Sequence, residues 1–185
     1  MGLSVRDISL NLLRWLFGAV FLFSGLTKAV DPVGTSVFVE KYLTTYGLDA
    51  LMEFALPIAI ALATVELALG IAVIVNAFHR QTLRISLLFV ALFTLITLLS
   101  ATVLPIGDCG CFGDAVKLSP WATFWKNIGL LVVVVVLLRC DHRKYTTSLT
   151  QIGLCLVGLL FALGLNLYAL RHQPLVDFLP YKVGT

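Results

Sequence analysis

Apolar residues in this chain gather into long blocks separated by short polar stretches. A bilayer core of about 30 Å is crossed by roughly 20 mostly apolar helical residues. Five blocks have that length: Ile8 to Leu26, Phe54 to Val75, Leu83 to Leu104, Pro120 to Leu138 and Leu149 to Leu170. Backbone groups in lipid must be satisfied within their own segment, and runs this continuous do not show the alternation of barrel strands, so the pattern predicts five transmembrane helices. In the fourth block the fully apolar part, Ile128 to Leu138, is too short to cross by itself. Ser119 and Pro120 supply a helix N-cap and first-turn residue that move its start outward. Trp121, Phe124, Trp125 and Lys126 then fall at headgroup depth, where aromatic rings and a long amine settle. The first block follows Arg6 as a signal peptide would, but Leu26-Thr27-Lys28-Ala29 lacks a small-x-small cleavage pattern, so it reads as a retained helix.

Between the first two blocks, Phe38, Tyr42 and Tyr46 recur at a spacing of four, between Ser36 and Gly47. That spacing predicts a short helix on the membrane surface, read as an amphipathic linker. No repeat, low-complexity tract or interdomain linker interrupts the chain. Residues 1–185 therefore read as a single all-α membrane domain, a small helical bundle whose last transmembrane helix covers about 149–170.

Composition agrees: 59% of residues are hydrophobic and 12% charged, with a mean hydropathy of +1.00, which excludes an ordinary water-soluble domain. A net charge of +3 without basic runs excludes a nucleic-acid partner and leaves membrane lipid as the surrounding medium. The cations Arg80, Arg84, Arg139, Arg143 and Lys144 crowd short connections, whereas Lys28, Lys41, Lys117 and Lys126 are spread along longer ones. By the positive-inside rule the N-terminus is cytoplasmic, and the 105–114 loop and the C-terminus lie outside.

That loop, Pro105-Ile106-Gly107-Asp108-Cys109-Gly110-Cys111-Phe112-Gly113-Asp114, carries the most distinctive chemistry. Gly110 lets Cys109 and Cys111 approach each other. A disulfide between residues two apart closes a small ring, and strained, exposed disulfides exchange readily while contributing little chain-entropy stabilisation. Asp108 and Asp114 disfavour a thiolate, whereas Lys117, Lys126 and the start of the fourth helix favour it. A redox-active pair, an inert structural pair and a metal site all remain open, although two thiolates do not fill a tetrahedral site and only His172 shares their side. Cys140 falls on the cytoplasmic side, and Cys155 reads as a small buried hydrophobe in the fifth span.

Arg14 and Glu66 are the formal charges well inside predicted spans. Counting about 1.5 Å per residue places them at depths of roughly 9 and 13 Å, within reach of one another. They read either as a buried ion pair joining the two helices or as a polar intramembrane site for a quinone or another headgroup. Gly18, Gly25 and Gly70 would permit close helix approach, and Asn166 reads as an interhelical hydrogen-bonding residue.

Arg14-Trp-Leu-Phe-Gly18, Phe23-Ser-Gly25-Leu-Thr-Lys28 with Asp31-Pro32, Glu66-Leu-Ala-Leu-Gly70 and above all Cys109-Gly-Cys-Phe-Gly-Asp114 resemble the DoxX-like membrane proteins, most closely their MauE branch, named for methylamine utilisation. The resemblance covers about the first 140 residues and implies a four-helix transmembrane bundle core. It implies a multi-pass protein of the bacterial inner membrane, with Cys109 and Cys111 as a redox pair, associated in the MauE branch with maturation of a disulfide-rich dehydrogenase and in DoxX relatives with electron transfer into the quinone pool. The fifth span is additional to that core. Some similar proteins carry a thioredoxin-like domain after it, and the resemblance implies a thioredoxin-like redox partner on the outer side.

The leading expectation is an inner-membrane thiol–disulfide redox component. Cys109 and Cys111 would pass electrons between partner thiols and the quinone pool, with Arg14 and Glu66 as the cofactor site. The rivals are a non-enzymatic assembly or maturation factor, whose cysteines only stiffen the loop, and a small-solute or metal transporter, which the lack of paired broken helices or inverted repeats disfavours.

Overall fold

The computed structural model describes residues 5–103, 118–141, 143 and 145–172. Among the described residues there is no strand; the elements are helices α1 (Val5–Val30), α2 (Pro32–Thr45), a 3-10 turn (Asp49–Phe54), α3 (Ala55–Val75), α4 (His79–Thr102), α5 (Pro120–Cys140) and α6 (Leu149–Arg171). All five expected spans are present as helices long and apolar enough to cross a membrane. The chain is an all-α membrane protein.

The start of α5 follows the expected chemistry: Ala122 donates its N–H to Ser119 Oγ at 3.2 Å, with Pro120 in the first turn. A reciprocal capping box opens α6, in which Ser148 and Gln151 satisfy each other's backbone donors. Gln151 Nε2 also donates to the Val75 carbonyl at 2.8 Å, fastening the start of α6 to the end of α3. The tight α3–α4 turn places Asn76 (φ 62) and Phe78 (φ 44) in left-handed conformations. Asparagine tolerates that region; the bulkier Phe78 is held there by its N–H donating to Thr147 Oγ1 at 2.9 Å.

Two boundaries differ from expectation. Helix α1 begins at Val5 and continues through Lys28 to Val30, so a lysine expected in a loop lies within the helix. Helix α2 begins at Pro32, capped by Asp31 Oδ1, which accepts from Gly34 N–H at 2.8 Å. It is more than a surface linker, because Leu43 is buried and Tyr46 Oη lies 3.3 Å from Ser100 Oγ of α4.

The bundle is organised by α1 and α3, which run antiparallel in close contact. A Cβ added to Gly18 would meet the Ile74 side chain, one added to Gly70 would meet Leu22, and one added to Gly25 would meet the Leu67 backbone. These three contacts share one antiparallel register. Small residues on both helices let the backbones approach, the usual means of association where no water drives it. Helix α4 packs on α5, and α6 packs against α3, with Gly158 facing Ile71.

Phe17, Phe21, Leu69, Val73, Leu83, Val90, Val134 and Leu137 make the apolar centre. Leu12, Leu16, Leu88, Leu160 and Trp125 face outward, as lipid-exposed side chains do. Asn166 departs from its expected role: it is fully buried, but its Nδ2 donates to the Ala162 carbonyl of its own helix at 2.8 Å rather than to a neighbour. Cys155 is half-buried in α6 and outside any disulfide, whereas Cys140, the last residue of α5, is exposed.

Candidate functional site

One end of the bundle gathers the end of α1, all of α2, the starts of α3 and α5, and the end of α4. Just inside it lies a buried polar cluster. Lys28 Nζ is 2.8 Å from Glu66 Oε2, and both side chains are almost wholly buried. Ser24 Oγ donates to the same carboxylate oxygen at 2.7 Å and accepts from Lys28 Nζ at 2.8 Å. Ser24 and Lys28 are four residues apart, so one face of α1 presents a hydroxyl and an ammonium together to Glu66 of α3. Burying either charge without the other is expensive in a low-dielectric medium; paired and hydrogen-bonded, they can persist.

The expected Arg14–Glu66 ion pair does not form, and the helix register explains why. With Gly18 against Ile74 and Gly25 against Leu67, four further residues toward the start of α1 bring Arg14 level with Phe78. Arg14 accordingly lines a narrow recess with Asn76, His79 and Thr82, at the opposite end from the Lys28 cluster. Ala72 and Asn76 of that recess lie six and ten residues beyond Glu66, about 9–15 Å along α3. The two residues proposed as one polar site are thus separated, and Lys28 occupies the place given to Arg14.

Beside the cluster, Ser24, Glu66, Lys126, Asn127, Phe89 and Phe93 line a cavity of about 30 Å³, room for a water molecule or two. Lys126, in the second turn of α5, is part of this lining. Asn127 is buried and its Nδ2 has no hydrogen-bond partner among the described residues. Phe93 stacks on Phe89 with ring centroids 4.7 Å apart. Phe93 also lines a second, larger space, an almost wholly apolar groove of about 440 Å³ between α2, α3 and α4, with Tyr42, Tyr46 and Thr97 among its walls. The polar cavity and the apolar groove therefore share one aromatic side chain.

A second polar cluster fastens the opposite end. Asp141, which caps α5, accepts from Arg143 Nε and Nη2 at 2.8 Å each and from Tyr145 Oη at 3.1 Å. His79 Nε2 stands 3.6 Å from Asp141 Oδ2, and His79 Nδ1 is 2.6 Å from Asn76 Oδ1. Arg143 also donates to Asn11 Oδ1 at 3.2 Å and lies 3.8 Å from Asp7, while Arg6 donates to the Cys140 carbonyl at 2.8 Å. Burial opposes ionisation of Asp141, but the hydrogen bonds from the Arg143 side chain and backbone, its charge and Tyr145 outweigh it and hold the carboxyl down to about 2. The same hydrogen bond keeps the Arg143 guanidinium above its ordinary value, and burial pushes the Tyr145 phenol up. This network ties together α1, α4 and the α5–α6 connection. Sequence reasoning assigned none of its members a joint role; Asp141 at the foot of an apolar helix, with Arg143 two residues later, was the available signal.

Cys109 and Cys111 lie outside the described residues, as do Asp108, Asp114 and Lys117. The connection that carries them leaves α4 after Val103 and reaches the Ser119 cap of α5, at the end holding the Lys28–Glu66 cluster and the apolar groove.

Protein TlpB of Flavobacterium psychrophilum is 30% identical across 68% of this chain and 35% of its own length, so the match spans little more than a third of that relative. No solved structure matches the chain. The family profile described as Methylamine utilisation protein MauE matches residues 6–139, which runs from the start of α1 almost to the end of α5. The chain belongs to the MauE family.

Proposed function

We propose that this protein is an inner-membrane thiol–disulfide redox component that passes electrons from the thiols of an extracytoplasmic, thioredoxin-like partner to the quinone pool through Cys109 and Cys111. In the first step a partner dithiol reduces the Cys109–Cys111 disulfide by exchange, leaving the partner oxidised and two thiols on this chain. In the second, those two thiols return to the disulfide, and their two electrons and two protons convert a quinone to a quinol. The observation that carries this reading is positional: the Cys-Gly-Cys connection joins α4 and α5 at the end where a carboxylate, an ammonium and a hydroxyl lie buried within hydrogen-bonding distance of one another. Such a cluster can exchange a proton without stranding a charge in lipid. Membership of the MauE family supports a membrane role of this kind.

The test is the double variant Cys109→Ser/Cys111→Ser in cells, with the disulfide content of extracytoplasmic proteins read by thiol trapping. Loss of both thiols should shift partner disulfides toward the reduced form while the variant still inserts. Unchanged partner disulfides would reject the redox role. If activity survives loss of both thiols yet fails in Glu66→Gln, the protein acts as a non-enzymatic assembly factor.

A further inference from the structure

We infer that the small cavity between α1, α3, α4 and α5 holds a resident water that links Asn127 to Glu66 and carries protons between the Glu66 cluster and the end of the bundle bearing the Cys-Gly-Cys connection. The water site stands on the cavity alone. Its proton-carrying role rests on the redox reading above, in which the thiols gain and lose protons with their electrons.

A buried water needs room and polar partners, and the cavity offers both. Its volume is about 30 Å³, and Ser24, Glu66, Lys126 and Asn127 bring four polar side chains to its wall. Asn127 is 3% exposed, and its Nδ2 meets no acceptor among the described residues. A buried donor left unmet loses its hydration without compensation, and a water in the cavity supplies the missing acceptor. The same water can donate to Glu66. A carboxylate accepts about four hydrogen bonds, and those from Ser24 and Lys28 both fall on Oε2, which leaves capacity for another.

The polar route continues along α5. Thr123 lies one turn nearer the Ser119 cap than Asn127 and on the same face; it is wholly buried, and its Oγ1 is likewise unmatched among the described residues. Two unmatched polar groups one turn apart thus lead from the cavity toward the start of α5, where the Cys-Gly-Cys connection joins it. Asn127 follows Pro120 by seven residues, about 10 Å along the helix. A proton that reaches the water from that side releases another from the water to the Glu66 carboxylate, and the reverse step returns it. The water is unchanged, the cluster gains and loses one proton, and no free ion crosses the apolar interior.

Radiolytic hydroxyl-radical footprinting of the purified full chain tests the site, because radicals made from a bound water modify the side chains beside it. Phe17 and Phe21 provide the comparison: both are buried and their rings stack at 4.8 Å, but Phe21 lines the cavity and Phe17 does not. Phe21 should be modified at least fivefold faster than Phe17. Val90→Ile and Val20→Ile, each adding one methylene at the cavity wall, should each abolish that excess, whereas Val132→Ile, on the outward face of α5, should preserve it. Equal modification of the two rings, or an excess on Phe21 that survives both cavity variants, would overturn the site. The relay is read from the rate at which a soluble quinone reoxidises the thiols. Val90→Ile should slow that rate at least fivefold and raise its solvent deuterium isotope effect, as a hindered proton step requires, and Val132→Ile should change neither. An unchanged rate in folded Val90→Ile that has lost the Phe21 excess would overturn the relay. If quinone does not oxidise the wild-type thiols, the redox reading and the relay fall together, and the footprint still decides the water site.

Discussion

Lys28 and Glu66 meet at 2.8 Å inside the bundle because the α1–α3 register brings the last turns of α1 level with the first half of α3. Breaking a buried pair leaves one charge uncompensated, at a cost of about 3–5 kcal/mol, whereas replacing both partners with apolar residues is often close to neutral. Lys28→Met or Glu66→Leu alone should therefore strongly destabilise the protein in detergent unfolding titrations, and the double variant should recover most of the loss. Arg14→Leu should combine additively with Glu66→Leu, because the two do not touch. A large coupling between Arg14 and Glu66 would contradict the register.

The glycines of the α1–α3 interface are not equivalent. An alanine Cβ at position 25 would lie 2.5 Å from the Leu67 backbone nitrogen, and backbone cannot move aside without separating the helices. Gly25→Ala should cost about 1–3 kcal/mol. At Gly153 nothing lies within 4 Å, so Gly153→Ala should be neutral or stabilise by up to about 1 kcal/mol through helix propensity. Unfolding titrations of the two single variants check the contrast, and equal effects would show that the close contact at Gly25 is not maintained in the membrane.

Acid should loosen the end fastened by Asp141. Its carboxyl is lowered from 3.8 to about 2 in the folded protein, so the folded state binds fewer protons than the unfolded state across that interval. The stabilisation is fully present above the unfolded value and is lost as pH falls from about 4 toward 2. Asp141→Asn should lie below the wild type in stability near neutral pH and converge with it as pH falls through that window. A constant difference down to pH 2 would show that Asp141 remains ionised or contributes only through packing.

The spans were legible because each rests on a local property, apolar length, and the weakest of them on a local cap at Ser119. Relative helix height was not legible, because it depends on where two surfaces interlock. Counting depth from separately placed membrane edges put Arg14 and Glu66 together, whereas the contacts of Gly18, Gly25 and Gly70 set them apart. The four-residue interval between Ser24 and Lys28 is visible in the sequence, but Lys28 lies beyond the end of the predicted span, so apolar length alone does not place it on the face that meets Glu66. The groove could not be read from any one segment, since its walls come from three helices.

The proposed redox role requires Cys109 and Cys111 to form an exchangeable disulfide outside the membrane. Labelling of intact cells with a membrane-impermeant maleimide, before and after mild reduction, reads side and redox state together as a mass shift on this protein. Two labels that appear only after reduction, and are lost in Cys109→Ser/Cys111→Ser, are the predicted result. Two labels without reduction, or none under either condition, would contradict it.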